Sequence, residues 1–190
     1  GNQLPLGGAS VQAARTFVSV VGSNPAVAWA SCPSGTCNGG IRYAIASSNT
    51  NPNSWTTYAV VTSGLADVAS VAFTNLNSTG VAFAWADRTN NPGTGNIRYI
   101  NSANSAGTSF AGIPVRTVST YTNSAANPGA VSIFTINGRP GVVWSDADAS
   151  NGNAGRTRFQ RASDQNGNTW PATTPLQLLA SKNTRVQCQV

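Results

Sequence analysis

The chain has 190 residues, enough for one domain with a substantial hydrophobic core, and it is rich in small polar residues. Only 8% of the residues are charged, Glu and His are absent, and the net charge of +6 comes almost entirely from scattered arginines. Because nucleic-acid binders cluster their basic residues, this pattern argues against a nucleic-acid partner. No stretch is long and apolar enough to insert into a membrane.

The first predicted unit, about residues 10–62, contains four short strand-like runs. They are ARTFVSVV, PAVAWAS, IRYAIAS and WTTYAVV, and their alternation and branched or aromatic content favour strand. The loop SCPSGTCNGGI follows the second run and places Cys32 and Cys37 close enough for a local disulfide. We predict this disulfide, which indicates an oxidising compartment; two free thiols are the alternative.

The second and third units, about residues 66–119 and 127–180, repeat the same order of runs. The second contains VASVAFT, GVAFAWA, NIRYINS and FAGIPVRTV, and the third contains GAVSIFTI, RPGVVWS, TRFQRAS and PLQLLA. Both ends carry part of a further unit. The N-terminal LPLGG resembles a fourth strand, and RVQCQV in 181–190 resembles the start of another unit.

Three sets of residues mark the repeat at a period of 55–60 residues. They are Trp29, Trp85 and Trp144; Arg42, Arg98 and Arg158; and Trp55, Phe110 and Trp170. Four antiparallel strands at this period predict an all-β fold, a β-propeller built from four-stranded blades, rather than a β-sandwich. Residues 1–190 are then a single, partial propeller domain with three complete blades.

Three blades fall short of the roughly four to eight that propellers contain. We therefore expect further blades in another chain, in a sequence removed by processing, or in a symmetry-related copy. An open edge strand at either end would favour such pairing.

The connection SDQNGNTW, residues 163–170, resembles the Asp-box, or BNR, repeat of sialidases and other secreted propellers. Ser163, Gly167, Thr169 and Trp170 match that motif, and Gln165 stands at its Asp position. The connections SSNTNPNSW and ANSAGTSF are more degenerate copies. The resemblance implies a structural turn with a packed aromatic residue, and a functional face on the opposite side of the propeller.

The long loops between second and third strands open on that opposite face, where loops on a rigid scaffold often bind ligands. The candidate ligand-binding residues are Asp87, Arg88, Asp146, Asp148 and Arg156. Calcium is the one cofactor that the sequence suggests, because Asp146, Asp148 and Ser150 alternate as oxygen ligands do in calcium loops. Capping of the loop by its own polar side chains is the alternative, and it needs no metal.

The composition also limits catalysis. Without His there is no Ser-His-Asp or Cys-His system, and a paired-carboxylate glycosidase would have to bring together two of only five Asp residues. The resemblance implies three arginines, a Tyr, a Glu and an Asp for a sialidase, and the chain has no Glu. The repeated arginines occupy one position in every blade, which indicates a structural contact instead.

We therefore predict a secreted or cell-surface, non-catalytic propeller module that binds a glycan or a protein through its long-loop face. A structural subunit that completes a propeller or polymer with another chain is the alternative. A sialidase-like glycoside hydrolase fragment is the third hypothesis.

Overall fold

The computed structural model describes residues 12–33, 35–50, 54–76, 80–88, 93–123, 129–148, 154–172 and 174–180. The strands of the first sheet are β1 (Gln12–Val21), β2 (Asn24–Cys32), β3 (Ile41–Ala46) and β4 (Trp55–Val61). Those of the second are β5 (Val68–Asn75), β6 (Val81–Arg88), β7 (Gly93–Asn101) and β8 (Arg116–Asn123). Those of the third are β9 (Val131–Ile136), β10 (Arg139–Asp148), β11 (Ala154–Arg161) and β12 (Leu176–Ala180).

Each sheet is a four-stranded antiparallel meander in which neighbours in sequence are neighbours in space. The first strands pack against each other, β1 on β5 and β5 on β9, so they lie innermost and the sheets radiate from them as blades. The predicted all-β propeller architecture with three blades is confirmed. The partial strands predicted near the N-terminus and in 181–190 lie outside the described residues. Within the described ranges, no helix is long and apolar enough to span a bilayer.

One predicted strand is displaced along the chain. The sequence pattern placed the fourth strand of the second blade at 110–118, whereas β8 runs from Arg116 to Asn123. Phe110 instead begins a tight turn, in which Ile113 N–H donates to the Phe110 carbonyl at 3.3 Å and Gly112 has a φ of +74°. Pro114 has no amide hydrogen for the sheet, so pairing resumes only after it.

The repeated tryptophans and arginines are cross-strand partners in every blade. Trp29 lies opposite Arg42, Trp85 opposite Arg98 and Trp144 opposite Arg158. All three indole rings are fully buried. Trp85 belongs to the core shared by the first and second blades, and Trp144 to the core shared by the second and third. Inter-blade packing is therefore confirmed for Trp85 and Trp144, whereas the described neighbours of Trp29 belong to its own blade.

The turns between third and fourth strands repeat as well. One backbone hydrogen bond closes each turn. The N–H of Ser47, Ala103 and Ser163 donates to the carbonyl of Ser54, Ser109 and Thr169, respectively. Gly107 and Gly167 occupy equivalent positions with φ of +70° and +69°. This left-handed conformation favours glycine because it has no Cβ.

Asp164, rather than the residue at position 165, supplies the carboxylate that caps the third turn. It accepts backbone N–H bonds from Asn166, Asn168 and Thr169 at 2.9, 3.0 and 2.7 Å. Partial burial raises the pKa of this carboxyl, but these hydrogen bonds outweigh it and hold the pKa below its ordinary value. Asn104 takes the same place in the second blade, where its Oδ1 accepts the Thr108 N–H.

A tyrosine on the third strand of each of the first two blades reaches the turn of the next blade. Tyr43 donates its hydroxyl hydrogen to the Gly107 carbonyl, and Tyr99 donates to the Asn166 carbonyl at 2.7 Å. The ring of Tyr99 also meets Trp170 edge-on, with centroids 5.2 Å apart. A Cβ at Gly167 would lie 2.4 Å from the Tyr99 ring. The tyrosine ring therefore occupies the space that a side chain at position 167 would need.

Replacing Gly167 with Ala is expected to destabilise the protein by more than backbone strain alone. Gly112→Ala is the matched control, because Gly112 has a similar φ of +74° and an added Cβ there would meet no atom within 4 Å. We expect the control to lose about 1 kcal/mol and Gly167→Ala about 1–3 kcal/mol more. Denaturant unfolding of both variants measures the difference. Equal losses would contradict a close Tyr99 contact.

Candidate functional site

Asp87 and Asp146 lie at equivalent positions near the long-loop ends of β6 and β10, two residues after their tryptophans, and both are buried. Asp87 Oδ1 accepts the amides of Ala66 and Asp67 at 2.9 and 3.0 Å. It thereby holds the connection that leads into β5. Asp146 Oδ1 accepts the Thr122 amide at 2.7 Å and so joins the third blade to β8 of the second. Both carboxylates therefore organise backbone at the blade boundaries.

Arg88 forms an ion pair with Asp67, a residue that the repeat pattern did not single out. Asp67 Oδ1 also accepts the Cys37 amide at 3.0 Å. Cys37 is joined to Cys32 by the predicted disulfide, and its carbonyl accepts the Val68 amide at 2.9 Å. The long loop of the first blade is thus fastened to the first strand of the second.

Asp146 and Arg156, both predicted site residues, are in direct contact. Asp146 Oδ2 accepts from Arg156 Nε at 2.9 Å and from Arg158 Nε at 3.0 Å. Arg158 also donates to the Pro175 carbonyl at 3.3 Å. The equivalent Arg98 instead donates to Thr117 Oγ1 within its own blade at 2.7 Å. Arg98 and Arg158 thus make structural contacts, and Arg158 additionally joins a charged cluster.

Part of the suggested calcium site cannot be placed. Asp148 ends β10, where its backbone pairs with Ala154, but its side chain and Ser150 lie outside the described residues. Among the residues that the structure does describe, no group of three or more His, Cys, Asp or Glu side chains is arranged to hold a metal. Both oxygens of Asp146 accept N–H bonds, so a cation there would compete with two guanidiniums. Calcium binding stays a prediction.

A groove of about 420 Å³ separates β8 from the third blade. Its volume falls within the range of small-molecule sites, roughly 300–1,000 Å³. The charged cluster of Asp146, Arg156 and Arg158 forms part of one wall. The polar neutral residues of the lining are Thr94, Ser119, Thr120, Tyr121, Thr122, Gln160 and Thr174. The groove begins beside the long loops, because Thr94, Thr122, Asp146 and Arg156 lie near strand ends on that face.

Two groove-lining side chains have a polar atom that is buried without a hydrogen-bond partner. They are the Tyr121 hydroxyl and Gln160 Oε1. Gln160 Nε2 donates to the Pro171 carbonyl, which orients the amide. Such orphaned groups are uncommon in folded proteins, because each costs about 1–3 kcal/mol. They are therefore candidates for contact with a ligand or with water.

Tyr121 is close to Asp146 of the charged cluster and to a second charged cluster formed by Asp67, Asp87 and Arg88. Burial raises the pKa of its phenol; Arg88 lowers it, and Asp87, Asp67 and Asp146 raise it further. The phenol is consequently protonated at neutral pH and serves as a hydrogen-bond donor rather than a nucleophile. Its ring fits between Gly95 and Gly129, where an added Cβ would lie 2.4 and 2.6 Å from ring or hydroxyl atoms.

A second hollow, of about 480 Å³, lies between the first two blades near their turns. It is lined by apolar and small polar residues such as Val21, Asn24 and Ser105, and no charged side chain is among them. The described charged clusters are instead near the long loops. The groove beside β8 is therefore the better candidate for a polar ligand.

Removing the Tyr121 hydroxyl is expected to leave stability unchanged or to raise it by up to about 1 kcal/mol, because an unsatisfied buried polar atom is lost. Tyr99→Phe is the matched control. Its hydroxyl bonds the Asn166 carbonyl, so we expect that variant to lose about 1 kcal/mol. Thermal and denaturant unfolding compare the two. A larger loss for Tyr121→Phe would mean that its hydroxyl has a partner.

Comparison with known proteins supports the fold. No protein-family model and no curated protein sequence matches the chain. Among solved structures, the chain is similar to an alpha-L-arabinanase from Penicillium chrysogenum, determined in complex with arabinobiose, with a TM-score of 0.65 and 9% sequence identity. The alignment covers 90% of this chain and 50% of the arabinanase. The chain therefore shares the arrangement of blades with about half of a β-propeller.

Proposed function

We propose that this chain is part of a secreted or cell-surface β-propeller that binds a glycan at its long-loop face without cleaving it. The observation that carries the proposal is the groove beside β8, with its row of hydroxyl side chains and its two orphaned polar atoms. Sugars offer hydroxyl groups that both donate and accept, so they suit such a lining.

Two further observations support this function. The similar arabinanase was solved with a bound sugar, arabinobiose, and its blades correspond to those of this chain. The disulfide between Cys32 and Cys37 fits an extracellular or cell-surface location, because disulfides persist in oxidising compartments. The degenerate Asp-box-like turns are consistent with a relation to secreted propellers.

The chemistry of the carboxylates supports the non-catalytic part of the proposal. The chain has five Asp and no Glu. A glycosidase commonly needs two carboxyl groups that flank the bond to be cleaved. The Asp67, Asp87 and Asp146 side chains accept hydrogen bonds from backbone amides, and Asp67 and Asp146 also pair with arginines. These carboxylates are therefore engaged in holding the scaffold together, and Asp146 is the one of the three that also lines the groove.

Binding to a glycan array should show a reproducible set of positive glycans, with arabinobiose included in the panel. We expect Gln160→Leu to weaken the strongest interaction about tenfold, because it removes polar contacts in the groove. Gln165→Leu on an exposed turn at the other end of the blade is the matched control and should bind normally. A folded chain that binds no glycan would overturn the proposal. Release of sugar from any bound glycan would overturn its non-catalytic part.

Exposed apolar side chains support the alternative function, that of a subunit that assembles with another chain. Four of the five large hydrophobic side chains that are exposed in the described residues lie on β1 or β12, the first and last strands. Val18 is 72% and Val20 48% exposed, and Leu176 is 61% and Leu178 46% exposed. Apolar side chains at both ends of the row of blades would be covered by further blades from another chain.

Mass photometry across a range of concentrations tests this alternative. If the ends associate, we expect particles larger than one chain, and Val18→Asp or Leu176→Asp should shift them toward monomers. Val115→Asp is the control, because Val115 is exposed but precedes β8 of the middle blade. Monomers at every concentration would rule out self-association through these ends.

A further inference from the structure

We infer that the groove beside β8 binds three consecutive sugars of a linear, neutral glycan, with Tyr121 and Gln160 at opposite ends of the bound segment. The inference rests on the proposed function, since it specifies the length and form of the glycan that the same groove takes. It follows from the direction of the strands that line the groove and from the positions of the two orphaned polar atoms along them.

The wall formed by β11 sets the length of the groove. Arg156 and Gln160 both line it, and they are four residues apart on a strand that pairs regularly with β10 from 154 to 161. At about 3.3 Å per residue, their Cα atoms are roughly 13 Å apart. Both side chains lie on the same face of the sheet, because every second residue of a strand points the same way.

The opposite wall, formed by β8, runs along the same length in the reverse direction. The Thr122 amide donates to Asp146 Oδ1, and Asp146 lies opposite Arg156 in the register of β10 and β11. The Thr122 end of this wall is therefore level with Arg156. Val118, four residues earlier on β8, also lines the groove, toward the end where β11 reaches Gln160. The groove is thus elongated from the long-loop end toward the turn end.

The two orphaned polar atoms mark the two ends of this groove. Tyr121 is next to Thr122 and close to Asp146, at the long-loop end. Gln160 is at the turn end, where its Nε2 donates to the Pro171 carbonyl. The Tyr121 hydroxyl and Gln160 Oε1 are both buried without a hydrogen-bond partner among the described residues. A ligand that satisfies both atoms has to extend along the groove.

A chain of three sugars fits this separation. With bonds of about 1.5 Å, each linked ring advances an extended glycan by about 5 Å, so rings one and three are about 10 Å apart. Their hydroxyl groups extend the reach toward Tyr121 and Gln160, whereas a single ring contacts one end only. Between the two ends, Ser119 and Thr120 on β8 line the groove with hydroxyls that both donate and accept.

The charged groups of the wall favour a neutral chain. Asp146 Oδ2 accepts from both Arg156 and Arg158, and Arg158 also donates to the Pro175 carbonyl. These charged groups are therefore engaged with one another and with the backbone. The other polar side chains of the lining are uncharged, and sugar hydroxyls can bond them without a counter-charge.

Isothermal titration with glycans of increasing length tests the inference. The probes are the mono- to pentasaccharides of the cello-, xylo-, manno- and α-1,5-arabino-oligosaccharide series, and the same lengths of any other linear neutral glycan that is positive on the array. In a series that binds, affinity should rise about tenfold with each sugar up to the trisaccharide, the gain of one or two hydrogen bonds, and then level off.

Two variants at opposite ends of the groove test the same length by position. Tyr121→Phe and Gln160→Leu should each weaken trisaccharide binding about tenfold. The disaccharide reaches only one end, so one of the two variants should weaken its binding and the other should leave it unchanged. Unfolding curves accompany each titration. The length series on the wild-type chain needs no variant, so the test stands even if Gln160→Leu fails to fold.

The outcomes separate the inference from the proposed function. Affinity that levels off before the trisaccharide or still rises beyond the tetrasaccharide, or equal effects of both folded variants on the disaccharide, would overturn the three-sugar groove. Array binding confined to branched or charged glycans would do so as well. Glycan binding as such would then still stand. Failure of every array glycan and every oligosaccharide to bind would overturn the proposed function together with the inference.

Discussion

The contact between a tyrosine of one blade and the turn of the next is the interaction on which the arrangement of blades depends. Tyr43 and Tyr99 each donate a hydroxyl hydrogen to a backbone carbonyl in the following turn. Gly167 leaves the space that the Tyr99 ring needs, whereas an added Cβ at Gly107 would meet Val81 first. The hydrogen bond links one blade to the next, and aromatic contacts such as that of Tyr99 with Trp170 add packing beside it. At the opposite, long-loop end, the described contacts differ from blade to blade.

The position two residues after the buried tryptophan of each blade shows this difference. Ser31, Asp87 and Asp146 each follow a buried tryptophan by two residues, so the scaffold places them alike. Ser31 exchanges backbone hydrogen bonds with the loop glycines Gly39 and Gly40, and Asp87 holds the entry to β5. Asp146 pairs with two arginines beside a groove. The same position in the blade thus closes a loop in the first blade, bonds backbone amides in the second and pairs with arginines in the third, depending on the residue and its neighbours.

The fold was largely predictable because the same residues recur in each blade. The candidate site was only partly predictable. The spacing of Trp, Arg and turn aromatics predicted blades, strand order and the packing of Trp85 and Trp144. It misplaced β8, since Phe110 opens a turn and Pro114 delays pairing. Asp146 and Arg156 were predicted as site residues and do meet. The sequence analysis missed Asp67, Tyr121 and Gln160, because no matching residue in the other blades marks them. The one available signal was Gly95, which makes room for Tyr121.

The last blade departs from the contact that joins the others. Phe159 pairs with Val143 as Tyr43 pairs with Ala28 and Tyr99 with Ala84, but it has no hydroxyl to donate. Its ring stacks on Phe134 instead, with centroids 6.1 Å apart and planes within 9°. Leu176, opposite Phe159 on β12, is exposed. This face therefore presents apolar side chains and lacks the tyrosine hydroxyl that bonds the next turn in the first two blades. The second and third blades, between which the groove lies, are by contrast joined by both parts of the Tyr99 contact, its hydrogen bond to Asn166 and its packing on Trp170.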